Sequence, residues 1–204
     1  MQSPASALAH PAAPVRAGLV SLRKIAPLAA ALCFSACHAD APHAGATASG
    51  PVALQLTSTS FASGGLIPPA FTCDGQDRSP QLAWSRPPNG TRSLALTVTD
   101  PDAPSGTFTH WVLFNLPAAA RSLPSSLDTA PQLPSGALQG SNSFGRIGYG
   151  GPCPPPGSTH RYIFTLYALD RPLALAPGVT RDQLEAALAG HSLAVGRLTA
   201  RYGR

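Results

Sequence analysis

After Lys24 the chain contains no lysine, and the arginines that follow are scattered rather than gathered in runs. The basic stripe that marks a nucleic-acid binder is therefore missing, and no nucleic-acid partner is expected. Long apolar runs are missing too. Past the first 36 residues none approaches the roughly 20 residues that a membrane-spanning helix needs. No glycine-rich nucleotide motif is present, because Gly148 to Gly151 is followed by Pro152 and Cys153 without a lysine. The closely spaced His and Cys pairs of common zinc motifs are also lacking, so neither a metal site nor a cofactor is expected.

The first fifty residues are rich in Ala, Pro and Ser and show no helix or strand period. Within them Arg23 and Lys24 precede an uncharged run from Ile25 to Ala36, and Cys37 follows. A basic segment, a short apolar segment and small residues before a cleavage point describe a secretory signal. Phe34-Ser35-Ala36-Cys37 resembles the lipobox of bacterial lipoproteins, in which Cys37 would carry the lipid; the alternative is ordinary signal cleavage near Ala36 or Ala39. The stretch before Arg23 is long for such a signal, and Val20, read from a GUG codon, is the expected start. The expected organisation is a signal peptide over residues 1–36, a flexible tether over 37–51 and one domain over 52–204. The product is then exported to the periplasmic side of the envelope and held at the membrane through Cys37.

Removing residues 1–36 takes away three basic side chains and no acidic ones, leaving eleven arginines against nine acids, a net charge of +2. About 150 residues remain, enough for a single domain with its own core. Cys73 and Cys153 are the pair left in that domain. In an oxidising compartment they form either a disulfide closing a long loop or two unbridged thiols near one site.

The pattern is mainly β. Residues 52–57 alternate as a first strand, Leu82-Ala83-Trp84 forms a short one, and Ser93 to Thr99, His110 to Leu116 and Arg161 to Leu169 form longer ones. The last two are almost continuously apolar, as strands covered on both faces are. One helix is signalled by Thr180 with Gln183 as a capping box, Leu184 and Leu188 on one face, and Gly190 at its end. Ser192 to Tyr202 returns as a last strand. Residues 117–159 read as loop, and a loop of that length is usually functional. The expected fold is a sandwich of two packed antiparallel sheets with one or two peripheral helices.

Two stretches share one grammar. Asp100-Pro101-Asp102-Ala103-Pro104 leads through a short loop to His110-Trp111-Val112-Leu113-Phe114. Gly148-Tyr149-Gly150-Gly151-Pro152-Cys153-Pro154-Pro155-Pro156 leads to His160-Arg161-Tyr162-Ile163-Phe164. Each places a histidine where a loop enters a strand. A carboxylate such as Asp100 at a sheet rim accepts a hydrogen bond from imidazole and favours its cation. Glycine backbone N–H groups beside such a cation make a small anion site, and Gly150 and Gly151 allow close approach of a ligand. Cys153 with a histidine and Asp100 contains the residue types of a thiol nucleophile system. It lies between prolines, however, and not at a helix N-terminus that would activate it. No catalysis is expected.

These blocks look like the two signature blocks of the phosphatidylethanolamine-binding protein family, and most like its bacterial Raf-kinase-inhibitor-like branch. Phe71-Thr72-Cys73-Asp74-Gly75 with Ser79-Pro80 resembles that branch's upstream block, and Asn142-Ser143-Phe144-Gly145 the block before the glycine loop. The resemblance covers roughly residues 52–204. It implies two packed antiparallel sheets with a pocket at one end that, in the family, binds phosphate-bearing head groups. Asp100, His110, Gly151, Pro152, His160 and Tyr162 match its lining positions, and Asp102 matches a second acid expected to orient the loop. The loop between Pro104 and His110 is short for the branch. The expected function is non-catalytic binding of a small anionic ligand, with His110 and His160 donating to it and Asp100 setting their protonation. The alternative is a protein-interaction module that regulates a kinase, a protease or another envelope enzyme through an envelope protein partner.

Overall fold

The computed structural model describes residues 52–204. The expected signal peptide, the lipid-bearing Cys37 and the tether lie outside the described residues.

Five runs of the chain build most of a six-stranded sheet. They are β1 (Val52–Ala53), β4 (Ser93–Asp100), β5 (Phe108–Pro117), β8 (Thr159–Leu169) and β9 (Ser192–Gly203), joined by the edge strand β7 (Leu138–Gln139), in the spatial order β1-β9-β8-β4-β5-β7. All neighbours are antiparallel except β1, which runs parallel to β9. A second sheet holds β2 (Leu56–Thr57), β3 (Leu82–Trp84) and β6 (Ser122–Leu123), in the order β2-β3-β6.

The central strands are apolar on both faces because each face has its own cover. Leu94, Leu96 and Val98 of β4 turn inward with Trp111, Leu113, Phe164 and Leu166, against Leu56, Leu82, Trp84 and Leu123 of the smaller sheet. Ala95 turns the other way, with Val112 and Phe114, onto Leu184 and Leu188 of the helix α1 (Arg181–Leu188). Thr180 caps that helix as its sequence announced: its hydroxyl accepts from the Gln183 N–H, and the Gln183 side chain accepts from the Thr180 N–H. A 3-10 turn over Pro69–Phe71 is the other helical element among the described residues.

The single first strand expected over 52–57 is two short strands in different sheets. The Leu54 N–H still reaches the Val195 carbonyl at 2.9 Å, but the Gln55 carbonyl already accepts from Ser85 beside the second sheet at 2.9 Å. Gly196 permits this crossing, since a Cβ there would stand 2.6 Å from the Leu54 carbonyl oxygen. Alternation alone shows a strand's faces but not which sheet each half joins.

The expected long loop over residues 117–159 contains only β6 and β7, and buried amides pin it. Gln139 accepts from the Trp111 indole at 2.8 Å and donates to the Asp128 and Ala130 carbonyls at 2.7 and 2.8 Å. Asn142 accepts from the Phe144 and Arg146 N–H groups and donates to the Gly148 carbonyl at 3.0 Å. Cys73 and Cys153 are joined in a disulfide, with Cα atoms 5.4 Å apart, which ties the segment after the 3-10 turn to the proline loop.

Candidate functional site

Antiparallel pairing brings the end of β4 beside the starts of β5 and β8. Asp100 lies across from Phe108, and Thr99 is flanked by Thr109 and Ile163. Asp100, His110 and His160 thereby line one cavity of about 230 Å³, walled by Ala103, Pro104, Ser105, Phe108, Phe144, Cys153, Pro154 and Pro155.

His160 and Asp100 are both buried, and Nδ1 of the ring lies 2.7 Å from Asp100 Oδ2. The other carboxylate oxygen accepts the Asp102 N–H at 2.8 Å, so the acid is held from two sides. A carboxylate on Nδ1 leaves Nε2 as the nitrogen available to a ligand and compensates a charge on the ring.

His110 is tethered differently. Its Nδ1 donates to the Gly150 carbonyl at 2.7 Å, and the Gly150 N–H returns to the His110 carbonyl at 2.9 Å. The ring is 2% exposed in its residue and sits edge-on to Tyr162, with Phe108 and Phe144 against it. Burial among these carbons holds its pKa below the ordinary histidine value, against the upward pull of the Gly150 carbonyl and of Asp100. At neutral pH His110 is thus a neutral ring with a proton on Nδ1 and a lone pair on Nε2.

Asp102 does not line the cavity. It takes a two-pronged contact from Arg161, Nη2 to Oδ1 at 2.6 Å and Nε to Oδ2 at 2.8 Å, and also accepts the Arg161 N–H. The Arg161 hydrogen bonds lower its pKa to about 2, so this clamp stays ionised through the physiological range. Asp102 thus ties the loop between β4 and β5 to Arg161 of β8 and not to the cavity.

A model of the phosphatidylethanolamine-binding protein family matches residues 57–203. The chain belongs to that family. A protein of Methanothermobacter thermautotrophicus named UPF0098 is 45% identical over 151 residues, covering 74% of this chain and 99% of that one. The Escherichia coli UPF0098 protein YbhB is 43% identical over 132 residues, covering 63% and 84%. Among solved structures, the phosphatidylethanolamine-binding protein homologue CT736 of Chlamydia trachomatis superposes with a TM-score of 0.68 at 40% identity, covering 74% of this chain and 98% of its own. Escherichia coli YbcL, titled a new member of the mammalian family, gives 0.70 at 34% identity with the same coverage.

Against the family's two signature blocks, the remaining positions sort into those that face the cavity and those that hold it. Gly151 and Pro152 do not line it. The Gly151 N–H is taken by Asp77 Oδ1 at 2.6 Å, and the Pro152 carbonyl accepts from the Cys73 N–H at 3.1 Å. With Gly150 bonded to His110, both glycine N–H groups expected to cradle an anion are already occupied. The glycines serve packing instead: a Cβ on Gly150 would stand 2.6 Å from the Phe144 ring, and one on Gly151 would stand 2.7 Å from Asp77 Oδ1 and against the Phe71 carbonyl. Tyr149 likewise braces the wall, donating to the Phe71 carbonyl at 2.8 Å while burial drives its pKa up. Tyr162 sits beneath the site. Its buried hydroxyl has no well-formed protein hydrogen bond among the described residues, and burial together with the Asp100 charge pushes its pKa up.

Sequence reasoning missed three contributors. Phe108 precedes His110 by two residues on one strand face, a period-2 signal that was available. Phe144 lay inside a matched block, and its ring is 39% exposed at the mouth. Asp77 carried no local sign of its tie to Gly151, 74 residues away. Cys153 lines the cavity, and with its sulfur in the disulfide it offers no thiol nucleophile.

Proposed function

We propose that the domain binds a small phosphate-bearing head group in the cavity at the β4–β5–β8 rim and does not alter it chemically. The observation that carries this reading is the pair of buried histidines lining one cavity. Each has its Nδ1 anchored, one on a carboxylate and one on a carbonyl, which leaves Nε2 as the nitrogen through which either ring would meet a ligand. The cavity volume suits a phosphate with a few carbons, and Phe108, Phe144 and the prolines supply an apolar wall for those carbons. Membership of the family points the same way.

Calorimetric titration with phosphoethanolamine and with inorganic phosphate tests the reading, beside a His110→Ala/His160→Ala double variant. Saturable binding by the wild type that vanishes in the folded variant supports it. Absence of binding by a folded wild type sinks it and favours the protein-interaction alternative. We further propose export and membrane attachment through Cys37; mass spectrometry of the N-terminal peptide for a lipidated Cys37 tests that part.

A further inference from the structure

The two histidines lining the cavity are not equivalent, and the difference bears on which phosphate the pocket accepts. We infer that His110 selects a ligand oxygen that carries a proton, so that the pocket takes a phosphate monoester in preference to a phosphodiester. This rests on the head-group reading above and narrows it.

The argument starts from hydrogen-bond direction. The Gly150 carbonyl can only accept, so the 2.7 Å contact fixes a proton on His110 Nδ1. In the neutral ring Nε2 is then an acceptor. No protein donor occupies that nitrogen among the described residues, and it is not sealed from the cavity that His110 lines. His160 has a carboxylate in contact to offset a second proton, whereas His110 has only a carbonyl in that position. The groups around His110 are Asp100 from β4, His160 and Tyr162 from β8, Phe108 from its own strand, Phe144 with Arg146 over its ring, and Asp77 behind the glycine loop. Of the acids, Asp100 is already bonded to His160, and Asp77 is engaged with the Gly151 N–H and Arg146. No free carboxylate is left in contact with His110 to hold it cationic, and burial opposes the charge.

A phosphate monoester keeps an O–H until its second ionisation near pH 6 (roughly) and so donates that hydrogen to Nε2 while its ionised oxygens face His160. A diester is fully ionised at the same pH and meets the Nε2 lone pair with an anionic oxygen. It then either loses that hydrogen bond or must force a proton onto the buried ring. Both carry the same charge as monoanions, so overall electrostatics does not separate them and the proton does.

The test compares phosphoethanolamine with its O-methyl diester, which differs by one methyl group and by the exchangeable proton. Inorganic phosphate serves as a third ligand, with calorimetry from pH 5.5 to 8.5 in two buffers of different ionisation enthalpy. The expected result is at least about tenfold tighter binding of the monoester at pH 5.5, where most of it still carries the O–H, an order-of-magnitude expectation from one satisfied against one opposed charged hydrogen bond. Above pH 7 monoester binding should take up about one proton and weaken up to about tenfold per pH unit, as the O–H form becomes scarce. His110→Gln, which can turn an N–H toward the cavity, should bring the two affinities together. The wild-type ratio and proton uptake decide the matter even if that variant does not fold. Equal affinities without differential proton uptake overturn the inference and leave the head-group reading standing. No binding of any of the three ligands overturns both.

Discussion

Removing the disulfide gives a large effect that can be worked out beforehand. Cys73 and Cys153 are 80 residues apart in sequence, so the bond closes most of the domain's central chain into one loop. In the chain-entropy model a loop of that length restricts the unfolded state by about 4.5 kcal/mol at 25 °C. The folded state has other ties across the same junction: the Cys73 N–H to the Pro152 carbonyl, the Tyr149 hydroxyl to the Phe71 carbonyl and the Gly151 N–H to Asp77. These keep the two loops together when the sulfurs are gone, so the loss falls mainly on the unfolded side. A Cys73→Ser/Cys153→Ser double variant should fold to the same structure but unfold at a Tm lower by about 10–15 °C. Its denaturant m-value should rise, because the uncrosslinked chain exposes more surface. Guanidinium unfolding followed by far-UV circular dichroism measures both. A stability loss under about 1 kcal/mol with an unchanged m-value would refute the reasoning.

Three further perturbations follow from particular contacts. Gly151→Ala places a methyl group against the Phe71 carbonyl and the Asp77 carboxylate, and should cost about 1–3 kcal/mol by overpacking; unfolding midpoints check it, and a neutral result would mean the loop yields freely. Thr180→Ala removes the cap of α1 and should cost about 1 kcal/mol, read in the same way without change in ligand binding. Burial lowers the folded-state pKa of His110, so the folded protein binds fewer protons there than the unfolded chain. Its contribution to stability is then complete above the unfolded value of 6.5 and declines as the pH falls below it. The stability gap between wild type and His110→Asn should therefore narrow from pH 7.5 to pH 5; a constant gap would contradict the neutral assignment.

Much of this fold could be read in advance, for reasons that differ between elements. The long strands were legible because Leu94, Leu96 and Val98 alternate with residues that bury on the other face, and a run apolar on both faces needs two covers. The helix was legible from its capping box, its Leu184 and Leu188 face and the glycine at its end. Which sheet each end of residues 52–57 would join was not, because that depends on Gly196 some 140 positions later, an approach that periodicity does not encode. At the site, Asp100, His110 and His160 announced themselves by position at strand ends. What the glycines do was misread. Glycine permits close approach to a ligand and close packing of the chain on itself equally well, and only the partners, Phe144 for Gly150 and Asp77 for Gly151, distinguish the two. The direction of the His110 hydrogen bond was likewise hidden, since it depends on a carbonyl 40 residues away.

The central claim is that His110 and His160 together hold the ligand through their Nε2 atoms. The most direct measurement is NMR of the chain with ¹⁵N-labelled histidine rings, with and without saturating phosphoethanolamine. The free protein should show His110 as the neutral ring protonated at Nδ1, and the ligand should shift the Nε2 signals of both His110 and His160 while leaving in place His191, which contacts Asp170 and does not line the cavity. Unchanged Nε2 signals at both positions in the presence of bound ligand would contradict the account.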